Sequence, residues 1–136
     1  MPLSITYIED GGIMVKAESV LTGSQIIEVN DVIYESPEKI RKILYQIGDF
    51  TDVSELSISS AEVERLATQD GEAFKINPNM FIALVAKKDF IFGLARMWEG
   101  LAYKPPFETM VFREMDDAQE WITEKLQKKA EPCAVT

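Results

Sequence analysis

The spacing of apolar residues changes repeatedly along this chain, and the changes predict an alternation of strands and helices. Alternating or continuous apolar residues predict five strands, at positions 5–9, 13–18, 43–50, 80–86 and 108–112. Apolar residues three or four apart predict four helices, at positions 22–34, 59–76, 89–103 and 116–127. The order β-β-α-β-α-β-α-β-α predicts an α/β fold with an N-terminal β-hairpin and a mostly parallel sheet.

Local signals mark the ends of these elements. Residues 10–12, Asp-Gly-Gly, are typical of a tight hairpin turn. Residues 22–25 and 59–62 each begin with a hydroxyl side chain and end with Gln or Glu, which is the capping-box pattern of a helix start. Asp89 and either Asp116 or Asp117 are the expected caps of the last two helices. Residues 37–42 fit either a short helical turn or a loop.

Three of the helices carry an apolar stripe that we expect to face the core. Gly93 is expected to allow a close approach between the third helix and a neighbouring element. The expected core residues are Val63, Leu66, Ala67 and Phe74, then Ile91, Leu94, Trp98 and Leu101, and finally Ala118, Trp121, Ile122 and Leu126.

Composition removes several classes of function. The net charge of −9 disfavours binding to nucleic acid. The chain has no histidine, which excludes Ser-His-Asp triads and histidine metal sites, and no cofactor motif is present, so we predict no cofactor and no enzymatic activity. A single cysteine fits a cytoplasmic location, and no apolar run reaches the ~20 residues of a membrane helix. We predict one domain over residues 1–127, followed by a frayed tail over 128–136.

Four segments of the chain carry a family resemblance: TGSQIIEVNDVIYESPE, YQIGDFTDVSELSISSAEVERLA, FGLARMWE and VFREMDDAQEWI. They resemble the SpoIIAA-like, or STAS-like, proteins of bacteria, and above all a branch whose biochemical role is not established. The resemblance implies βα units with helices packed on a sheet. In the anti-sigma-factor antagonists of that superfamily, a kinase phosphorylates a serine of a D-S-S-G-like motif where the helix after the third strand begins. Here that region holds Ser57, Ser59 and Ser60, but Ala61 replaces the glycine and Leu56 or Ser57 replaces the aspartate.

The stretch from Tyr45 to Ala67 is the first candidate for a functional site. We expect its strand to end at Asp49, followed by a polar crossing that contains Thr51 and Asp52 and leads into a helix. Thr51, Asp52 and the three serines are candidates for phosphorylation or partner binding. The hydroxyl of Ser59 has a second interpretation, since capping alone explains a serine at a helix N-terminus.

Two further groups of residues have competing interpretations. Asp49, Asp52 and Glu55 could hold a hard cation or could form a solvated turn, and we favour the turn, with no metal site. On the third helix, a cleft for a small apolar or anionic ligand would include Phe90, Arg96, Trp98 and Tyr103. Aromatic residues at helical spacing are also typical of an ordinary core.

The predicted function is a non-enzymatic regulatory or protein-interaction module of STAS-like type. Its partner would be another protein or a second copy of the chain, as a homodimer. The alternative is a carrier for a small lipid-like ligand, held in a cleft beside residues 89–103.

Overall fold

The computed structural model describes residues 3–102 and 108–130, with side chains described as far as Lys128. Tyr103 and Cys133 lie outside the described residues. None of the helices in the described ranges is both long enough and apolar enough to span a membrane.

Five strands form one sheet, and their order in the sheet follows their order in the chain. The outer pair, β1 and β2, is antiparallel, and every later neighbour is parallel. The predicted α/β class, the N-terminal hairpin and the mostly parallel sheet are therefore confirmed, and β5 has the predicted bounds. The strands are β1 (Leu3–Tyr7), β2 (Gly12–Thr22), β3 (Tyr45–Ser57), β4 (Phe81–Val85) and β5 (Glu108–Phe112).

The turn between β1 and β2 is fixed by Asp10. Its carboxylate accepts the backbone N–H of Gly12 at 3.0 Å, and the Tyr45 hydroxyl donates to the same carboxylate at 3.1–3.2 Å. Gly11 adopts a φ of +96°, which glycine tolerates without steric cost. A Cβ atom on Gly12 would lie 2.1 Å from the ring of Tyr45, so only glycine lets the ring pass over the turn.

The predicted helix starts are formed by two capping boxes. The Thr22 hydroxyl accepts the N–H of Gln25 while the Gln25 side chain accepts the N–H of Thr22, and Ser59 and Glu62 form the same reciprocal pair. Such a cap contributes about 1 kcal/mol. The helices are α1 (Gly23–Ile33), the short α2 (Pro37–Arg41), α3 (Ser60–Ile76), α4 (Asp89–Ala102) and α5 (Met115–Ala130).

The helices lie on both faces of the sheet. α1, α3 and α4 pack side by side on one face, called here the three-helix face, and α5 covers the other, the single-helix face. On the single-helix face, Phe81 is fully buried between Tyr45, stacked at 5.9 Å, and the edge of Trp121 at 5.6 Å. The predicted core residues of α3 and α5 are all confirmed as buried or partly buried.

Two predictions for α4 are wrong. Gly93 permits no close approach between the described elements, because none of them comes within 4 Å of the position that a Cβ would take. Leu101 is 46% exposed, and the buried stripe of the helix ends instead with Trp98 and Ala102. The stripe drifts because 3.6 residues per turn carry position 101 round to the solvent side.

The predicted caps of the last two helices are also wrong. Asp89 is already the first residue of α4, and the carbonyl of Lys88 accepts the first helical hydrogen bond. In α5 the corresponding carbonyl belongs to Glu114, so Asp116 and Asp117 lie in the first turn. Their negative charges still favour a helix N-terminus. α5 continues to Ala130, three residues past the predicted domain boundary; the domain assignment itself stays a prediction.

Candidate functional site

The expected polar crossing after Asp49 is a continuation of β3. The strand runs on to Ser57 and pairs with the second half of β2, which ends at Thr22 opposite Ser57. Two register shifts interrupt the pairing, and Ser19 adopts a φ of +60° beside the second. The predicted strand end is wrong because pairing with β2 supplies the backbone hydrogen bonds of residues whose composition is typical of a turn.

Two acidic residues of β3, Asp49 and Asp52, form ion pairs with a lysine of β2. Lys16 Nζ lies 2.7 Å from a carboxylate oxygen of Asp52 and 3.3 Å from one of Asp49. Burial alone would raise the pKa of Asp49, but hydrogen bonds from Thr51 and the charge of Lys16 lower it below its usual value. Glu55 is exposed. No group of three His, Cys, Asp or Glu side chains within the described ranges has the arrangement of a metal site.

The three candidate serines lie together where β3 meets α3. Ser57 is the last residue of the strand, and Ser60 is the first residue of the helix; both are exposed. Ser59 is the N-cap: its hydroxyl accepts the Glu62 N–H at 3.1 Å and donates to the Glu62 carboxylate at 3.2 Å. The capping interpretation of Ser59 thus describes its observed hydrogen bonds.

A groove separates the extended part of β2 and β3 from the start of α4. Val20 on β2 and Phe90 on α4 border it, with 56% and 65% of their surfaces exposed. Apolar side chains that cluster at the surface are typical of interaction sites. The groove therefore combines apolar and hydroxyl groups at the carboxyl-terminal end of the parallel strands. Its wall includes Val20, Ser54, Leu56, Ser57, Lys88 and Phe90.

The residues expected to form one ligand cleft on α4 are separated in the structure. Phe90 lines the groove, whereas Trp98 is buried under the helix. The side chain of Arg96 is 62% exposed, and its Nε lies 3.2 Å from Glu99. Tyr103 is outside the described residues. Among the three described members of the group, Trp98 alone faces the interior of the three-helix face.

A cavity of about 90 Å³ lies beneath the helices of the three-helix face. Its wall is mainly apolar, and α1, α3, α4 and the sheet all contribute to it. Trp98 lines one end together with three polar side chains, Asn30 of α1, Gln46 of β3 and Asp70 of α3. The apolar part of the wall includes Val29, Leu66, Leu84, Leu94 and Ala95.

Asp70 is the centre of a buried hydrogen-bond network that the sequence analysis missed. It accepts a hydrogen bond from the Tyr34 hydroxyl at 2.6 Å and another from Trp98 Nε1 at 2.8 Å, while Asn30 Nδ2 lies 3.5 Å away. Gln46 Nε2 in turn donates to the Tyr34 oxygen at 2.6 Å. A signal was present in the sequence, because Asp70 follows Val63 by seven residues on the same apolar stripe.

The network surrounds an ionisable side chain, Asp70, that is buried away from solvent. Burial raises the pKa of Asp70 to about 6, although the hydrogen bonds from Tyr34 and Trp98 act to lower it. Burial and the neighbouring carboxylate raise the pKa of Tyr34 well above its usual value, so its hydroxyl stays protonated and can donate to Asp70.

Comparison with known proteins gives no match to a protein-family profile and none to a curated protein sequence. Solved structures do match. SpoIIAA, the Bacillus cell fate determinant, in its phosphorylated form superposes with a TM-score of 0.59 and 12% identity, over 88% of this chain and 98% of its own. The fold is SpoIIAA-like. The anti-sigma factor antagonist SpoIIAA in its unphosphorylated form gives a TM-score of 0.58 and 9% identity, over 89% and 97%. The SpoIIAA-like fold predicted from the sequence is thereby confirmed.

Proposed function

We propose that this protein is a non-enzymatic regulatory module that acts by binding another protein. The observation that carries the proposal is that two exposed apolar side chains, Val20 and Phe90, both line the groove at the carboxyl-terminal end of the sheet. The SpoIIAA-like fold supports it, since a protein of that fold is described as the antagonist of an anti-sigma factor. The absence of histidine removes the commonest general base. The proposed location is the cytoplasm.

The proposed partner-binding surface joins the groove to the start of α3. Ser57 lines the groove, and Ser59 and Ser60 follow it along the chain. Phosphate on any of the three would add negative charge close to the N-terminus of α3, where the helix dipole and free N–H groups stabilise an anion. We propose these serines as candidate phosphoacceptors, with Thr51 and Asp52 further back along β3 as candidate contacts.

Two exposed apolar residues of α4 allow a matched test of the surface. Phe90 lies at the groove, and Leu101, 46% exposed, lies at the other end of the helix. The wild-type protein, Phe90→Ser and Leu101→Ser are used as baits in extracts of the cells that produce the protein, with thermal unfolding of each variant as a check of folding. We expect Phe90→Ser to lose a bound protein that the wild type and Leu101→Ser both retain.

The same variants address self-association. If the partner is a second copy of the chain, sedimentation will show a wild-type dimer that Phe90→Ser dissociates and Leu101→Ser does not. Equal capture and equal oligomeric state for all three proteins would contradict the proposed surface.

A second candidate function is that of a carrier for a small ligand. The observation that favours it is the cavity beside Trp98, because the interior of the three-helix face is open at a place where α4 and the sheet would otherwise be in full contact. An apolar cavity with a few polar groups at one end is the usual form of a small-molecule site.

A further inference from the structure

The orientation of the Gln46 amide gives the cavity a defined polar end. The Tyr34 hydroxyl donates its single proton to Asp70, so it can only accept from Gln46, and the nitrogen of the amide must therefore face Tyr34. Gln46 is 6% exposed and lines the cavity. Among the residues that the structure describes, no donor is bonded to its Oε1, so this acceptor is available to a molecule in the cavity.

A hydrogen bond donated to an acceptor in a mainly apolar cavity adds to the affinity of a ligand. The oxygens of Asp70, by contrast, already accept bonds from Tyr34 and Trp98. At the polar end, Gln46 Oε1 can therefore accept one hydrogen bond from a ligand. Asn30 also lines the cavity, and its Nδ2 donates to Gln69 and Asp70.

The charge at the polar end selects against anions. The carboxylate of Asp70 is at that end, and no lysine or arginine of the described residues lines the cavity. A carboxylate or phosphate ligand would thus meet a like charge in an apolar enclosure, without a cation to compensate it. The anionic ligand considered from the sequence is disfavoured for this reason.

The volume sets the size of the ligand. At about 90 Å³ the cavity is smaller than the ~150 Å³ apolar cavity that accepts benzene, so about four or five non-hydrogen atoms fit without rearrangement. The apolar wall supplies the affinity for a compact hydrocarbon body.

We propose that this cavity binds a small uncharged molecule with a compact apolar body and one hydroxyl or N–H group, whose donor bonds to Gln46 Oε1. The assignment specifies the ligand of the carrier function proposed above and is independent of partner binding at the groove.

The two tryptophans provide an internal control for the test. The Trp98 indole N–H is part of the network at the polar end of the cavity, whereas Trp121 packs against Phe81 on the single-helix face. The protein labelled with ¹⁵N is titrated with 1-butanol, with its isomer methyl propyl ether, which has no donor, and with butyrate, which is an anion. We expect 1-butanol to shift the Trp98 indole signal in a saturable manner and to leave that of Trp121 in place.

The three probes separate the parts of the proposal. We expect 1-butanol to bind roughly 3- to 10-fold more tightly than the ether, which is the usual range for one hydrogen bond, and butyrate to produce no saturable shift. Equal affinity for the alcohol and the ether, or binding of butyrate, would overturn the ligand class while leaving the carrier function standing. No saturable shift with any probe would overturn both.

Two variants locate the binding. Gln46→Met has a side chain of similar length without an acceptor, and we expect it to bind the two isomers equally. Ala95→Leu adds three carbon atoms to the cavity wall, and we expect it to abolish the shift while the urea midpoint is kept or raised. Val29→Leu on α1 serves the same purpose if Ala95→Leu does not fold. Unchanged binding in a folded variant that fills the cavity would place the ligand elsewhere and overturn the assignment.

Discussion

Asp49 and Asp70 are the two carboxylates that the described part of the fold buries, and they meet different partners. Asp49, in β3, lies beside the ammonium of Lys16 and accepts the backbone N–H of Thr51 at 3.0 Å. Asp70, in α3, has neutral hydrogen-bond donors, and no cation from the described part of the chain forms an ion pair with it. As a result the pKa of Asp49 is lowered, whereas that of Asp70 is raised to about 6.

The difference shows that burial does not by itself decide the charge of an aspartate. Where a cation and a backbone N–H are present, the ionised form is favoured, and ionisation of the carboxylate stabilises the folded state. Where the donors are neutral and water is excluded, desolvation dominates and ionisation opposes folding. The two residues should therefore contribute to the pH dependence of stability with opposite signs.

The largest expected effect is that of Asp70→Asn on the pH dependence of unfolding. Because the folded-state pKa of about 6 lies above the reference value of 3.8, the native state holds the proton more tightly. The contribution to stability is complete below about pH 4 and is lost as the pH rises through 6. The free energy of unfolding of the wild type, relative to Asp70→Asn, should fall by about 3 kcal/mol between pH 4 and pH 7.

Urea unfolding of both proteins at constant ionic strength measures this difference. Groups that titrate alike in the two proteins cancel in the subtraction. A difference between wild type and variant that does not change with pH would mean that Asp70 has an ordinary pKa, and would remove the contrast with Asp49.

The next effect in size is that of Tyr34→Phe. The change removes a donor from Asp70 and leaves the buried Gln46 amide without its acceptor, so we expect a loss of about 1–3 kcal/mol. Because the Tyr34 hydrogen bond lowers the pKa of Asp70, that pKa should rise further. Carboxyl ¹³C titration by NMR measures it. Tyr7→Phe is the control, since Tyr7 is 57% exposed and should change neither quantity.

The smallest effect is expected for Lys16→Met. Lys16 and Asp52 are both largely exposed, so the change should cost no more than about 1 kcal/mol. It should raise the pKa of Asp49, and the rise should shrink at high salt because exposed charges are screened. NMR titration at two salt concentrations checks this. Lys75→Met, which removes a surface pair with Glu72, should not move the pKa of Asp49.

The parts of the fold that were predictable from the sequence depend on local or periodic signals. The capping boxes that begin at Thr22 and Ser59 were predictable because a cap and its partner are three residues apart in the sequence. β5 was predicted because residues 108–112 alternate enough to indicate an edge strand, and more and less exposed side chains alternate along it in the structure. The extension of β3 was not found, because its partners on β2 lie 34 or 35 residues earlier in the chain, as in the pairs Glu18–Asp52 and Thr22–Ser57. Two register shifts also break its period of two.

The buried network could not be predicted from the sequence for a different reason. Asp70 and Gln46 lie inside an apolar stripe and an apolar run, where a polar residue looks like an imperfection in the pattern. The packing of α1 and α4 beside α3 brings Tyr34 and Trp98 to the Asp70 carboxylate. The polar residue that interrupts the apolar pattern thereby becomes the centre of a hydrogen-bond network. Likewise, the groove became visible once the extension of β3 was placed next to Phe90.

The agreement between strand order and chain order has a consequence for synthesis on the ribosome. Each strand emerges after the neighbour to which it will pair, so the sheet can grow by addition at one edge. The helices of one face emerge between the strands, but α5 follows all five of them. Until Met115 and the residues after it have left the exit tunnel, the apolar surface around Phe81 has no cover. A nascent chain of this protein should therefore most need a chaperone in the interval after β5 has emerged and before α5 has done so.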